Sequence, residues 1–257
     1  MFNVSALPAF SDNYIWMLEG DNSQVVVVDP GDAQVVIDAL ERNNKALVAI
    51  FVTHHHSDHT GGVAQLTEKY GVQVYGPSDS SFKGITIGLK DGDTIEELNS
   101  TFCIKAVPGH TLDHICYFYN DQIQPKIFCG DSLFLAGCGR VFEGSMRQML
   151  DAMSYFKQLP VSTQLYCTHE YSLANLAFAQ AVEPENKQIE QKIEQCKKLR
   201  AAGLPTLPSL IESELQINPF LRTNHKVVKQ SALDFAQQPL TCELEIFSAI
   251  RTWKNNF

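Results

Sequence analysis

Thr53-His54-His55-His56-Ser57-Asp58-His59-Thr60-Gly61-Gly62 is the stretch on which the fold of this chain turns. Imidazoles at 54, 56 and 59 and a carboxylate at 58 crowd into one short turn. Neutral imidazole and carboxylate are what a protein offers Zn²⁺ when a coordination position must stay open for water. The H-x-H-x-D-H spacing cannot share one helical face, because i, i+2 and i+4 point around the axis rather than along it, so the run belongs on a loop. His55 alternates to the other side of His54 and His56 and is read as a non-ligand. A solvated histidine patch is the bland alternative, and the flanks argue against it. Ala46-Leu47-Val48-Ala49-Ile50-Phe51-Val52 has the length and composition of a strand covered on both faces. Gly61-Gly62 then opens the helical pattern Val63, Ala64, Leu66, Tyr70, which Gly71 stops.

The same grammar, an apolar run ending in a potential ligand, recurs three times. Residues 102–109 deliver His110, residues 126–130 deliver Asp131, and residues 164–168 deliver His169. Each is weak alone, since a histidine after a strand is usually structural and an aspartate after glycine usually makes a turn. Together they predict strand ends feeding one edge of a rigid scaffold. Further short strands are expected at 14–18, 25–28, 72–75, 85–87, 115–119 and 126–129, the last two joined at Asn120-Asp121. Ser145 caps an expected helix with Met146, Met149, Leu150, Met153 and Phe156 on one face, ended by Pro160. Beyond His169 the strand signal disappears. Helices are expected at 173–181 and 184–202, the latter stopped by Gly203, and again near Ser209, where Ser-x-x-Glu forms a capping box. This small helical layer is expected to pack on the sandwich and cover its metal-site edge.

The order H-x-H-x-D-H, His, Asp, His resembles the metallo-β-lactamase superfamily over about the first 170 residues. The resemblance implies an α/β fold, an αββα sandwich, here followed by a C-terminal all-helical domain, with boundaries at 1–171 and 172–257. It also implies a dinuclear centre. His54, His56 and His110 would hold one metal, Asp58, His59 and His169 the other, and Asp131 would bridge them. Paired cations lower the pKa of shared water toward about 7 and so supply hydroxide at neutral pH. His and Asp ligands point to Zn first and also suit Fe or Mn. Asp58 and Asp131 are the catalytic candidates, Asp58 through orienting the hydroxide. No G-x-S-x-G elbow offers a serine nucleophile instead.

Residues 130–144, GDSLFLAGCGRVFEG, and Thr168-His169-Glu170-Tyr171 look like hydroxyacylglutathione hydrolase, the glyoxalase II family. Asn218-Pro219-Phe220-Leu221-Arg222 and the terminal Ile250-Arg251-Thr252-Trp253-Lys254-Asn255-Asn256-Phe257 extend the likeness to the whole chain. By that resemblance Arg140, Phe142, Tyr171, Arg251 and Lys254 line the glutathione site, whose ligand has two carboxylates for cations and amides for a phenol or guanidinium. Two positions depart from the pattern: Phe142 lacks the hydroxyl of a tyrosine found in some members, and Arg140 replaces a lysine. The implied reaction is hydrolysis of S-lactoylglutathione to glutathione and D-lactate, in methylglyoxal detoxification. A thiol of pKa about 8.5 leaves as its anion without a dedicated acid.

Composition narrows the alternatives. Twenty Lys and Arg against 29 Asp and Glu leave a net charge of -9, which disfavours nucleic acid and any tRNA-processing nuclease of this superfamily. A lactamase proper commonly has cysteine where Asp131 stands. A mononuclear-iron persulfide dioxygenase generally lacks the full helical tail. A binding module with a remnant metal site predicts bound metal without turnover. Seven cysteines without dense spacing read as thiols of a reducing compartment. With no apparent secretory leader or membrane span, a cytoplasmic monomer acting on a small glutathione thioester is expected.

Overall fold

The structure is a computed structural model that describes residues 2–257. Among them, one six-stranded sheet runs in sequence order through β1 (Asn3–Ala9), β2 (Asn13–Glu19), β3 (Gln24–Val28), β4 (Ala46–Phe51), β5 (Gln73–Pro77) and β6 (Ile87–Leu89). Its first three strands are antiparallel and β3 to β6 are parallel. Helices α1 (Ala33–Asn43), α2 (Ser57–Thr60) and α3 (Val63–Tyr70) connect the parallel strands. Alternation decides which side each residue faces. Trp16, Leu18, Val26, Val28, Ala49 and Phe51 join the core between the sheets, whereas Ile15, Met17, Val25, Val27, Ile50 and Val52 pack under α1 and α3. Burial on both faces explains why β3 and β4 read as nearly unbroken apolar runs.

The second sheet is built from β7 (Thr94–Glu97), β8 (Ser100–Ala106), β9 (Ile115–Tyr119) and β10 (Lys126–Gly130). A small hairpin, β11 (Leu133–Phe134) and β12 (Gly137–Cys138), follows β10. Next come α4 (Met146–Phe156) and β13 (Gln164–Cys167), which pairs parallel to β10. Ser145 caps α4, as its sequence predicts, and Gln148 closes a reciprocal box with it. Tyr117 stacks on Phe51 across the sandwich with ring centroids 4.5 Å apart.

From residue 172 onward the chain is mainly helical: α5 (Ser172–Val182), α6 (Lys187–Ala201), then, after β14 (Ser209–Leu210), α7 (Ile211–Ile217), α8 (Lys226–Ala236) and α9 (Glu243–Asn255). Phe178, Phe220, Phe247 and Ile250 belong to the same hydrophobic cluster as Phe51 and Tyr117, so the helices share the sandwich core. Two expectations fail here. Strand structure does return after His169, since Ser209–Leu210 pairs with β13. The capping box at Ser209 is also absent: Leu210 occupies the cap, and the Ser209 hydroxyl donates instead to buried Glu214 at 2.5 Å. A carboxylate removed from water recruits every nearby donor and outcompetes a cap. The expected strand at 85–87 begins two residues later, at Ile87–Leu89, and Thr86 Oγ1 just before it accepts from Val74 N at 2.8 Å. β1 and α1 were not anticipated, although Asp32 accepts from Gln34 N and Val35 N as an ordinary cap for α1. Among the described residues no helix is long and apolar enough to cross a membrane.

Candidate metal centre

Backbone devices aim the ligands. β4 passes through Val52 into Thr53, whose N–H donates to Asp29 Oδ1 at 2.7 Å and whose carbonyl accepts from Ile115 N at 2.9 Å, tying the histidine turn to both sheets. Beneath the turn, Gly31 leaves no room for a side chain, since a Cβ there would lie 1.9 Å from Asp58 O. At the end of β10 the register with β13 slips between Phe128 and Gly130. Gly130 has φ +48°, and a Cβ on it would meet Thr53 Oγ1 at 2.3 Å. This bulge turns Asp131 away from the ladder and toward the histidines.

The seven sequence-predicted donors come together. His54 Nε2 and His56 Nδ1 lie 3.1 Å apart, and His110 Nε2 is 3.2 Å from His56 Nδ1. Beside this triad, Asp58 Oδ2 is 3.4 Å from both His59 Nε2 and His169 Nε2. Asp131 stands between the groups: Oδ1 is 3.5 Å from His59 Nε2, while Oδ2 is 3.3 Å from His169 Nε2 and 3.4 Å from His110 Nε2. His55 points elsewhere, as expected, with its nitrogens at 3.0 Å from Asp113 and 3.2 Å from Glu143.

The far nitrogens show why the cluster suits cations. His110 Nδ1 donates to Arg140 O at 2.8 Å, His59 Nδ1 to Asp29 Oδ2 at 3.0 Å, and His169 Nδ1 to Asp12 Oδ1 at 2.7 Å. Thr53 Oγ1 donates to Asp29 and therefore accepts from His54 Nδ1 at 3.1 Å. With the far nitrogens of His54, His59, His110 and His169 held outward, their inner nitrogens turn toward one another and toward two carboxylates. His59 Nε2 and Asp131 Oδ1 are buried without a hydrogen-bond partner. Such a donor set fits two positive ions. The electrostatics show that the carboxylates demand positive charge here, which a proton on His59 or His169 can also supply. Burial opposes charge on His59 and His169, but Asp131 and its neighbours outweigh it, holding His59 well above its ordinary range and His169 at about 10. Burial would raise Asp58 and Asp131, yet the facing imidazoles pull both far below the usual carboxylate range. Burial pushes His114 down to about 3, which keeps it neutral; its Nε2 accepts from Asp131 N at 3.1 Å.

Above the cluster opens a cleft of about 340 Å³ lined by His56, Asp58, His110, Asp131, Phe134, Arg140, Phe142, His169 and Tyr171. Three of the five expected substrate residues are on this wall. Tyr171 stacks on His169 at 4.6 Å with rings 2° apart, and burial lifts its phenol to about 12, so it stays a proton donor. Phe142 is 61% exposed, lies 5.2 Å from the His110 ring, and carries the Arg140 guanidinium 5.8 Å above its own ring. Arg251 and Lys254 are not part of that lining. Arg251 is 5% exposed and donates through Nη1 to Cys138 O at 2.7 Å. Lys254 Nζ reaches Ala174 O at 3.2 Å. A larger groove of about 740 Å³ between Glu183 and Val227 contains none of the clustered donors, so its size is no guide to chemistry.

Sequence reading missed Asp29, Asp12 and Phe134. Asp29 was legible, because it ends the valine run of β3 just as Asp131 ends β10. Asp12 had no local signal.

Comparison with known proteins places these features in a family. Residues 10–169 match the model described as metallo-beta-lactamase superfamily, and residues 170–257 that described as hydroxyacylglutathione hydrolase C-terminus. Hydroxyacylglutathione hydrolase of Hahella chejuensis is 46% identical over 257 residues, and that of Vibrio parahaemolyticus 44% over 258, each covering 100% of both chains. The crystal structure of ETHE1 from Myxococcus xanthus shares the fold, with a TM-score of 0.65 at 22% identity over 99% of this chain and 98% of that one. Likeness along the whole length, in both regions, makes this chain a member of the hydroxyacylglutathione hydrolase family on the metallo-beta-lactamase fold.

Proposed function

We propose that the protein hydrolyses S-2-hydroxyacylglutathione, S-lactoylglutathione foremost, to glutathione and D-lactate in methylglyoxal detoxification. The observation that carries this reading is the convergence of seven donors, four of them imidazoles held from outside through their far nitrogens, beside a cleft bearing Arg140 and Tyr171. His54, His56 and His110 would hold one divalent ion, Asp58, His59 and His169 the other, and Asp131 both; imidazole and carboxylate place Zn first, with Fe or Mn compatible. Ions bound there supply hydroxide at neutral pH and polarise a carbonyl.

The chain's own residues do the rest. Asn13 Nδ2 donates to Asp58 Oδ2 at 3.0 Å and holds that carboxylate toward the cleft, where it orients the attacking water. Arg140 offers its guanidinium to a glutathione carboxylate, Tyr171 its phenol to an amide, and Phe142 and Phe134 an apolar wall. Arg251 and Lys254 are assigned to the remaining carboxylate, Lys254 being the more exposed. On this reading residues 1–171 carry the metal ligands together with Arg140, Phe142 and Tyr171, and residues 172–257 add Arg251 and Lys254 to the substrate site. Seven unpaired cysteines support a reducing, cytoplasmic setting, and one site built from one chain supports a monomer.

The test is S-lactoylglutathione cleavage followed spectrophotometrically beside elemental analysis and a chelator control. Turnover that disappears on chelation and returns with metal is expected. Two bound ions without turnover would leave a remnant binding module, and oxygen uptake with glutathione persulfide would indicate the dioxygenase.

A further inference from the structure

The β11–β12 hairpin presents Phe134 to the cleft, with its ring 5.5 Å from Tyr171 and 6.1 Å from His169. Its tip is an awkward piece of backbone. Ala136 has φ +53°, a conformation side-chain-bearing residues adopt only when their surroundings impose it. The tip is fully buried, so its peptide groups cannot turn to water.

Partners for these groups come from the helical region, through side chains that are themselves buried. Glu214, with no exposed surface, accepts the Ala136 N–H through Oε2 at 2.7 Å. Asn218, equally buried, donates from Nδ2 to Phe134 O at 3.1 Å, Gly137 O at 2.9 Å and Glu214 Oε2 at 3.0 Å. Asn175 donates to Leu135 O at 3.1 Å. The base of the hairpin is held separately, by Gly139 N on Ser132 O at 3.0 Å, by His110 Nδ1 on Arg140 O and by Arg251 Nη1 on Cys138 O at 2.7 Å. Tip and base therefore answer to different anchors.

We propose that Glu214, Asn218 and Asn175 are positioning residues that set the hairpin tip, hold Phe134 against Tyr171, and so govern affinity for the glutathione thioester without touching it. This rests on the thioesterase reading of the cleft. Hydrogen-bond geometry does the positioning, not charge. A glutamine at 214 can reproduce every contact: its oxygen takes Ala136 N and Asn218 Nδ2, and its amide nitrogen donates to Ser209 Oγ.

The experiment compares Glu214→Gln, Glu214→Leu and Asn218→Ala with the parent, as full-length metal-loaded proteins. It reads kcat and KM for S-lactoylglutathione, glutathione binding by calorimetry, metal content, and hydrogen exchange at the Ala136 amide. Glu214→Gln is expected within about twofold of the parent in every readout. Glu214→Leu and Asn218→Ala are expected to raise KM and weaken glutathione binding by about tenfold, with kcat within about threefold, metal content unchanged and Ala136 exchange about tenfold faster. The proposal is overturned if folded, metal-replete variants keep parental KM and exchange, if kcat falls in step with lost metal, or if Glu214→Gln behaves like Glu214→Leu. Should Glu214→Leu not fold, Asn218→Ala and Asn175→Ala decide by the same criteria. A parent without thioester turnover would sink the functional reading alone, and Ala136 exchange would then decide for the hairpin.

Discussion

Asp29 satisfies four donors with two oxygens: the Thr53 amide, the Thr53 and Thr168 hydroxyls and His59 Nδ1. It thereby fixes the direction in which His59 Nε2 faces and, through Thr53, the proton on His54. An asparagine fits the same space and tolerates φ +53°, but turns one acceptor into a donor that opposes the Thr53 and His59 protons. Asp29→Asn is therefore expected to weaken metal affinity by about 10 to 100-fold, measured by competition with a chelating indicator. His55→Ala is the control, since both its nitrogens face Asp113 and Glu143, and it should keep two ions by elemental analysis. Loss of an ion in His55→Ala, or none of the expected weakening in Asp29→Asn, would contradict this assignment.

Elements translate single residues into geometry. The bulge ending β10 works only because position 130 lacks a side chain, so Gly130→Ala should push the backbone off Thr53 Oγ1 and swing Asp131 from between the two histidine groups. We expect metal content and thioester turnover to fall together in that variant, with the far-ultraviolet spectrum unchanged. α9 supports a prediction on pH. Burial and the neighbouring Arg251 hold Lys254 at about 8, so its ammonium is lost as pH passes that value. If Lys254 meets a glutathione carboxylate, kcat/KM declines above about pH 8, and Lys254→Arg removes the decline because a guanidinium stays charged. Unfolding cannot imitate this. A lysine whose folded pKa lies below its unfolded value of 10.5 makes the unfolded chain bind more protons between those values, so its contribution to stability rises with pH there. A flat parental profile through pH 9.5 would remove Lys254 from the binding site.

At the scale of the whole molecule, the centre is where both sheets meet, since its ligands issue from β4 on one sheet and from β10 and β13 on the other. Ions bound there cross-link the sandwich, and their removal leaves lone pairs and carboxylates facing one another in buried space. An ion at a free concentration about a thousandfold above its Kd adds about 4 kcal/mol. For a chain of this size, complete chelation should lower Tm by roughly 10 °C or more. Calorimetry with and without chelator checks this, and an unchanged Tm would mean that the cluster holds no tightly bound metal.

The histidine turn, the three later ligands, the strands around them and the α4 cap were legible in the sequence because each depends on local facts: alternation, an apolar run stopping, a residue type that binds metal. The helical tail was legible as helix, but not what it does to the site. Asp12 meets His169 from 157 residues away, and Glu214 meets Ala136 from 78. Arg251 was legible as a glutathione contact by resemblance, but not that its Nη1 reaches Cys138 O across 113 residues. Partners so distant leave no periodicity or spacing to read. Only when burial strips water from a backbone carbonyl or an imidazole must a particular side chain replace it, and tertiary packing decides which one arrives.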